Sequence, residues 1–379
     1  MLYKKFEDIS LSALGMGAMR LPTVDGSPSS EIDEKQVEEM VAYAMEQGVN
    51  YYDTAYGYHD GKSEVVMGKV LAKYPREQFY LADKFPGYDL SNMDKVEQIF
   101  EEQLKKTGME YFDFYLFHNV CEMNIEQYLD EKYGIFDYLM KQKENGRIRH
   151  LGFSAHGRVD IMRKFLEKYG DAMEFCQIQL NYLDWKLQEA DKKVELLKEY
   201  NIPVWVMEPL RGGKLASVAD EFEKKMKELR PDEGVPAWAF RFLQTIPTVT
   251  VTLSGMSNMQ QLKENIATFA EDKPLNADER KVIDEITDSM LDILPCTSCR
   301  YCTSHCPQHL DIPHLLFMYN ELKFNNGFLT QMGVGAMKEE ERPHACIGCR
   351  SCEAVCPQQI KISEVMSDFV TRMQQPVSW

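Results

Sequence analysis

Short apolar runs recur along the first three quarters of the chain, separated by stretches in which apolar residues return every three or four positions. The runs are LSALGMGAM (11–19), VNYYDTAY (49–56), QFYLADKF (78–85), FDFYLFHNV (112–120), IRHLGFSAH (148–156), FCQIQLNY (175–182), IPVWVMEPL (202–210) and TVTVTLSGM (248–256). They are near-continuous rather than alternating, as expected of parallel strands covered on both faces. Between them, residues 33–47 place Val37, Met40, Val41 and Ala44 on one helical stripe. Residues 93–106, 159–169, 191–200, 219–229 and 259–270 follow the same period. Gly48, Gly146 and Gly170 stand where helices are expected to stop. Repeated strand–helix units in this number predict an α/β fold, a (β/α)8 TIM barrel, with an open doubly wound sheet as the competing arrangement. A further helix over 275–294 opens on Asn276, with Glu279 three residues on as in a capping box.

Length and charge narrow this picture. With 379 residues, 44% of them hydrophobic and 11% aromatic, the chain suits one large barrel plus a small appendage and excludes wholesale disorder. A formal charge of −17 argues against nucleic acid and anionic lipid as partners. No apolar run is long enough to cross a bilayer. Residues 11–19 follow Lys4 and Lys5, but Glu7 and Asp8 intervene and no small-x-small cleavage site follows, so the run reads as a strand rather than a signal peptide. A cytoplasmic location is the expectation.

Cysteine changes the picture most. Eight of the ten cysteines lie between Cys296 and Cys356, which divides the chain into a barrel over 1–290 and a small α-rich domain over 291–379. Cys296, Cys299, Cys302 and Cys306 are spaced C-x2-C-x2-C-x3-C-P, and Cys346, Cys349, Cys352 and Cys356 repeat the spacing. In an acidic chain of this kind, metal ligation is favoured over disulfides. Zinc would use two C-x2-C pairs and leave four cysteines idle. The repeated run resembles that of bacterial two-cluster ferredoxins, in which the fourth cysteine of each run ligates the other cluster. The resemblance implies two [4Fe–4S] clusters, one held by Cys296, Cys299, Cys302 and Cys356, the other by Cys346, Cys349, Cys352 and Cys306.

Barrel enzymes carry their chemistry where strands end on the C-terminal side. Asp53 ends the second run, Tyr58 follows five residues later, Lys84 ends the third and His118 the fourth. A buried lysine needs a carboxylate, which Asp53 can supply. Lys84 beside Tyr58 is expected to lower the phenol pKa toward the working pH. His118 could hydrogen-bond the same carbonyl oxygen. Such a device fits proton delivery to a carbonyl as hydride arrives.

These four residues, with DTAYGYHDGKSEVVMGKVL, LADKF and FDFYLFHN around them, resemble the Asp–Tyr–Lys–His tetrad of the aldo-keto reductase family. The resemblance extends over roughly 1–290, and the whole chain is similar to a subgroup with a ferredoxin-type domain fused to the barrel. It implies NAD(P)H-dependent reduction of an aldehyde or ketone, or alcohol oxidation, with Tyr58 as general acid or base. It also implies an N-terminal hairpin over residues 2–10 closing the barrel bottom. Among cofactor positions it implies Ser154 and Gln177 at the nicotinamide amide, with Ala155 where an asparagine is usual. Met207 stands at the stacking position. Pro209, Leu210, Gly212 and Gly213 form the pyrophosphate loop, and Glu264 and Asn265 the adenine contacts. Gly255 and Gln261 stand where basic residues usually hold a 2′-phosphate, so weak discrimination between NADPH and NADH is expected. Gly17 and Met19 open the first strand end toward the cofactor; the surrounding glycines do not complete a Rossmann fingerprint.

No flavin site is readable that would convert two-electron hydride transfer into one-electron cluster chemistry. Three readings follow: a carbonyl reductase whose iron–sulfur domain docks a redox partner protein, an iron–sulfur electron-transfer protein with the barrel as scaffold, and a reductase stabilised by structural clusters. The intact tetrad favours catalysis on a small carbonyl or alcohol substrate.

Overall fold

A computed structural model describes all residues except 28–29, 292–293, 295, 297–298, 325–327 and 376–379. The chain divides into two compact units, Met1–Val282 and Ile283–Trp379.

The first unit opens with a hairpin, β1 (Tyr3–Phe6) and β2 (Ile9–Ser12), paired antiparallel. Eight strands follow: β3 (Leu14–Gly17), β4 (Tyr51–Asp53), β5 (Tyr80–Phe85), β6 (Phe112–Val120), β7 (Ile148–Ala155), β8 (Cys176–Gln179), β9 (Val204–Met207) and β10 (Val249–Ser254). Each pairs in parallel with the next, and β10 pairs with β3, Leu253 opposite Gly15, to close the barrel. Every expected apolar run supplies one barrel strand. Most strands are shorter than their runs; in the first run, Leu11 and Ser12 belong to the hairpin strand β2, and Ala18 and Met19 to a short 3-10 turn.

The hairpin closes one end. Phe6 and Leu11 are buried with Tyr51, Phe114, Phe175, Trp205 and Val251, and Phe6 meets Trp205 edge-on at 5.1 Å. The barrel interior is therefore a packed core, and polar chemistry is left to the opposite mouth.

Among the helices that escaped the periodicity, three show why. Val235–Gln244 buries eight of its ten residues and Ser63–Leu71 seven of nine, so neither shows a polar face. Ile135–Glu144 starts after Gly134 without a side-chain cap, so its start signal is missing. Gly48 and Gly146 end helices with positive φ, at 85° and 75°. The helix Val159–Tyr169 also stops at Gly170, but with φ −56° rather than a left-handed cap, and a short turn, Gly170–Ala172, follows.

The helix expected over 275–294 spans Ala277–Met290, while residues 292–293 lie outside the described residues. Its capping box is formed in both directions. Glu279 N donates to Asn276 Oδ1 at 3.0 Å, and Asn276 N donates to Glu279 Oε2 at 2.8 Å. Arg230 adds a two-pronged contact to Glu279, both prongs at 2.8 Å. Asn276→Ala is expected to destabilise the barrel by about 1 kcal/mol, read from urea unfolding followed by tryptophan fluorescence. An unchanged midpoint would mean that Arg230 alone holds Glu279 in place.

The second unit carries helices Ile312–Phe324, Phe328–Ala336 and Ile362–Met373. Leu315, Leu316 and Leu322 of the first share a core with Val365, Met366 and Phe369 of the last. Its two cysteine runs repeat in backbone as well as in sequence. Arg300 and Arg350 have φ of 63° and 61°, and His309 and Gln359 have φ of 56° and 55°, at equivalent positions in each run. Among the described residues no helix is long and apolar enough to cross a membrane.

Candidate functional site

The strand ends at the open mouth bring the four sequence-singled residues together. Lys84 Nζ donates to Asp53 Oδ1 at 2.6 Å and to the Thr54 carbonyl at 2.7 Å. Both side chains are almost wholly buried. Burial works against the Lys84 ammonium, but Asp53 and then Tyr58 and Asp83 hold its pKa above the ordinary value. Burial also raises the Asp53 carboxyl, with Lys84 pulling against it. The direct contact at 2.6 Å makes the pair a fixed anchor at the strand ends.

The backbone under Lys84 is locked from behind. Asp83 Oδ1 accepts from Lys84 N and from Gln103 Nε2, each at 2.8 Å, and Gln103 Nε2 also donates to the Lys84 carbonyl at 3.0 Å. Burial and the neighbouring Glu64 raise the Asp83 carboxyl well above its usual range. Gln103, Asp83 and Glu64 were not singled out in the sequence, because their value depends on which residues lie behind β5.

Tyr58 stands in the turn after β4, with Lys84 Nζ 5.1 Å from the centre of its ring. Its pKa departs from expectation. Burial raises the phenol above 10.0, and Lys84, pulling it down, only partly offsets this. The lysine was expected to win. It does not, because the same burial that brings Lys84 close also removes the water that would stabilise a phenolate.

His118 lies edge-on to Tyr58 at 6.2 Å between ring centres. Burial, reinforced by the charge of Lys84, drops its pKa well below 6.5, so the ring is neutral. Tyr88, from the loop after β5, also lies edge-on to His118, at 5.3 Å. An aromatic residue in the loop after a functional strand was the available signal for Tyr88.

The positions expected to contact a cofactor lie on β3 and the turn after it, on β7, β8 and β9, in the loops after β9 and β10, and on the helix Met259–Thr268. Ser154 and Gln177 are register partners on β7 and β8. Ser154 Oγ accepts from Asn119 N at 2.8 Å, where Asn119 turns left-handed with φ 63°. Met207, partly buried, ends β9. The Pro209–Gly213 loop after it is pinned by Arg211, whose guanidinium donates to buried Asp184 at 2.7 Å. Gly17 ends β3 beside Ser254 and Gly255, and Met19 is exposed. Gln261 turns into its own loop and accepts from Ser257 N at 2.8 Å. Glu264 accepts from Gln260 at 2.6 Å, and Asn265 is buried with its amide on Ser254 Oγ at 3.0 Å. Asp53, His118, Asn119 and Gln177 each keep a buried polar atom without a protein partner. Such atoms suit a polar ligand that completes their hydrogen bonds, as a nicotinamide carboxamide and a substrate oxygen would.

In the second unit, Cys306 joins Cys346, Cys349 and Cys352 around one cavity, which apolar Leu310, Ile312, Ile362 and Met366 line together with Gln308, Arg350 and Ser363. The fourth cysteine of one run thus meets the first three of the other. Among the described residues no cysteine is joined in a disulfide, and Cys299 and Cys349 are exposed. Four cysteine sulfurs around one cavity suit an iron–sulfur cluster. Residues 295, 297 and 298 lie outside the described residues, so the surroundings of Cys296 and Cys299 are described only in part.

Comparison with known proteins agrees with both units. Residues 13–288 match the Aldo/keto reductase family, and residues 295–360 match the 4Fe-4S dicluster domain. The chain is 26% identical over 307 residues to the NADH-specific methylglyoxal reductase of Escherichia coli (strain K12), covering 69% of this chain and 91% of that one. It is 26% identical over 310 residues to the uncharacterized oxidoreductase YqkF of Bacillus subtilis (strain 168), covering 74% and 94%. The holo form of aldo-keto reductase AKR11C1 from Bacillus halodurans superposes with a TM-score of 0.59 at 25% identity, covering 76% of this chain and 96% of that one. The thermostable aldo-keto reductase Tm1743 superposes with a TM-score of 0.61 at 20% identity, covering 76% and 100%. With its closed barrel, its polar mouth and its following cysteine runs, this chain belongs to the aldo/keto reductase family and is an oxidoreductase that carries a 4Fe-4S dicluster domain after the barrel.

Proposed function

We propose that the barrel mouth reduces a small aldehyde or ketone with Tyr58 as the general acid. The observation that carries this reading is the buried Lys84–Asp53 pair, with Tyr58 and neutral His118 converging beside it. A bound NAD(P)H supplies the hydride. Tyr58 gives its phenolic proton to the carbonyl oxygen as the alcohol forms, and Lys84⁺ stabilises the phenolate left behind. Asp53 holds Lys84 in place and charged. His118, uncharged, offers a hydrogen bond that orients the carbonyl oxygen without competing as an acid. Ser154 and Gln177 orient the nicotinamide amide. Asn119, whose Oδ1 is buried without a partner beside Ser154, supports a contribution from its own amide where Ala155 has none.

The two cysteine runs would hold two [4Fe–4S] clusters in the swapped sets, which supply one-electron chemistry when bound. Exposed Tyr301 and Ile347, one inside each run, support a second role: electron exchange with a partner protein at this surface. A reducing compartment such as the cytoplasm suits cysteines that form no disulfide.

The test uses the full chain prepared anaerobically, with NADH or NADPH and methylglyoxal, a carbonyl of the class named for the Escherichia coli relative. Consumption of one nucleotide per alcohol formed is expected. The pH profile adds a sharper check. Tyr58, raised above 10.0, stays protonated, and His118, held well below 6.5, stays neutral. Reduction should therefore keep a flat kcat/KM from about pH 6 to 9 and fall only as the phenol titrates, since this parameter reports the free enzyme. A break near pH 7 would show instead that Lys84 prevails over burial in solution. Nucleotide oxidation without alcohol would point to the electron-transfer role alone.

A further inference from the structure

A nucleotide at this mouth brings phosphate charge, and the positions expected to meet it carry none. Gly255 has no side chain, Gln261 is turned into its own loop, and Arg211 is committed to Asp184. Arg20, which follows β3, crosses this gap. Its stem lies on the bare α-carbon of Gly255: a β-carbon there would stand 3.2–3.4 Å from Arg20 Cβ, Cδ and Cγ. Its Nη2 reaches over the Pro209–Gly213 loop, 3.1 Å from where a β-carbon on Gly212 would sit. The backbone is held in place by Ser257, whose Oγ donates to the Arg20 carbonyl at 3.0 Å.

The guanidinium remains available. Its side chain is 41% exposed, and Glu208 Oε1 is 3.7 Å away, within ion-pair range but beyond hydrogen-bond reach. Gly255 and Gly212 are therefore the floor on which a long cationic side chain rests. A cation absent from the loop after β10 is supplied from the loop after β3, a substitution that local sequence at 255–265 does not reveal.

We propose that Arg20 is the phosphate-binding cation of the nucleotide site, pairing with either the pyrophosphate or the 2′-phosphate of the dinucleotide. A planar guanidinium forms paired, charge-assisted hydrogen bonds with phosphate oxygens. This rests on the nicotinamide reading given above. Glu208, 3.7 Å from Arg20, marks the place that the phosphate would take as counter-ion.

The test is equilibrium binding of NADH and of NADPH to the anaerobically prepared full chain, followed by reduced-nicotinamide fluorescence. Arg20→Met keeps the unbranched stem on Gly255 and removes the charge, and it should raise Kd by about tenfold to a hundredfold, as loss of hydrogen bonds to a charged group does. Equal loss for both nucleotides assigns the pyrophosphate; loss confined to NADPH assigns the 2′-phosphate. Arg20→Lys, which keeps the charge without the fork, should fall between wild type and Arg20→Met. Unchanged Kd values in Arg20→Met overturn the proposal while leaving the nucleotide site standing. A lysine variant no better than the methionine one overturns it as well, because the effect would then lie in shape rather than charge. Wild-type protein that binds neither nucleotide overturns both this proposal and the nicotinamide reading.

Discussion

Tyr58→Phe is expected to lower carbonyl reduction by about 10²–10⁴-fold, the range typical of a lost general acid, with nucleotide affinity and iron content unchanged. The substitution keeps the ring, its edge contact with His118 and its place beside Lys84. It removes only the proton that the reaction consumes. Because burial holds the phenol above 10.0, Tyr58 is an acid with its proton in place at working pH, and its loss cannot be offset by choosing a lower pH. Lys84→Met acts on the same step, since a phenolate formed without the ammonium nearby is less stable. The two substitutions should therefore be far from additive in single-turnover measurements. Lys84→Met also leaves the Asp53 carboxylate unpaired in the core, which costs about 3–5 kcal/mol; Lys84→Met combined with Asp53→Asn separates the stability effect from the chemical one. A Tyr58→Phe protein that reduces its carbonyl at the wild-type rate would remove the tetrad from the mechanism and leave the barrel as a scaffold.

The second large effect concerns iron. Cys306→Ala should halve the iron content, from about eight to about four atoms per chain, as expected when one of two four-iron clusters is lost. The cluster lost should be the one held by Cys346, Cys349 and Cys352, whose cavity Cys306 lines, and not the one next to it in sequence. Iron and sulfide analysis gives the count. EPR of the reduced variant, compared with Cys349→Ala, gives the identity: the two variants should lose the same signal. If Cys306→Ala instead matched Cys299→Ala, each run would hold its own cluster. Stoichiometric zinc without acid-labile sulfide would remove the iron–sulfur reading altogether.

Much of this molecule was legible along the chain. The eight strands were visible because a parallel strand covered on both faces must be apolar nearly throughout. The Asn276–Glu279 cap was visible because its two hydrogen bonds join residues three apart. Asp53, Lys84 and His118 were visible because polar residues within apolar runs are costly unless they meet partners, and Tyr58 because the segment DTAYGYHDGKSEVVMGKVL around it resembles the family's. The cysteine runs carried their chemistry in their spacing. All of these are local patterns, imposed by strand pleat, helix turn or ligand geometry.

Other properties belong to the fold alone. Local periodicity cannot separate a closed barrel from an open sheet, since closure depends on β10 meeting β3 from the far end of the unit. The helix Val235–Gln244 has no polar face to betray it, because the surrounding structure buries it on nearly every side. The direction of the Tyr58 shift depends on how much water the assembled mouth excludes, which outweighs the nearby lysine. Arg20 lies on Gly255 only because closure brings the loops after β3 and β10 together, 235 positions apart in sequence. Sequence pattern reports what each segment needs within a few residues of itself. Burial, charge balance and the juxtaposition of loops are set by distances through space, and only the assembled barrel fixes those.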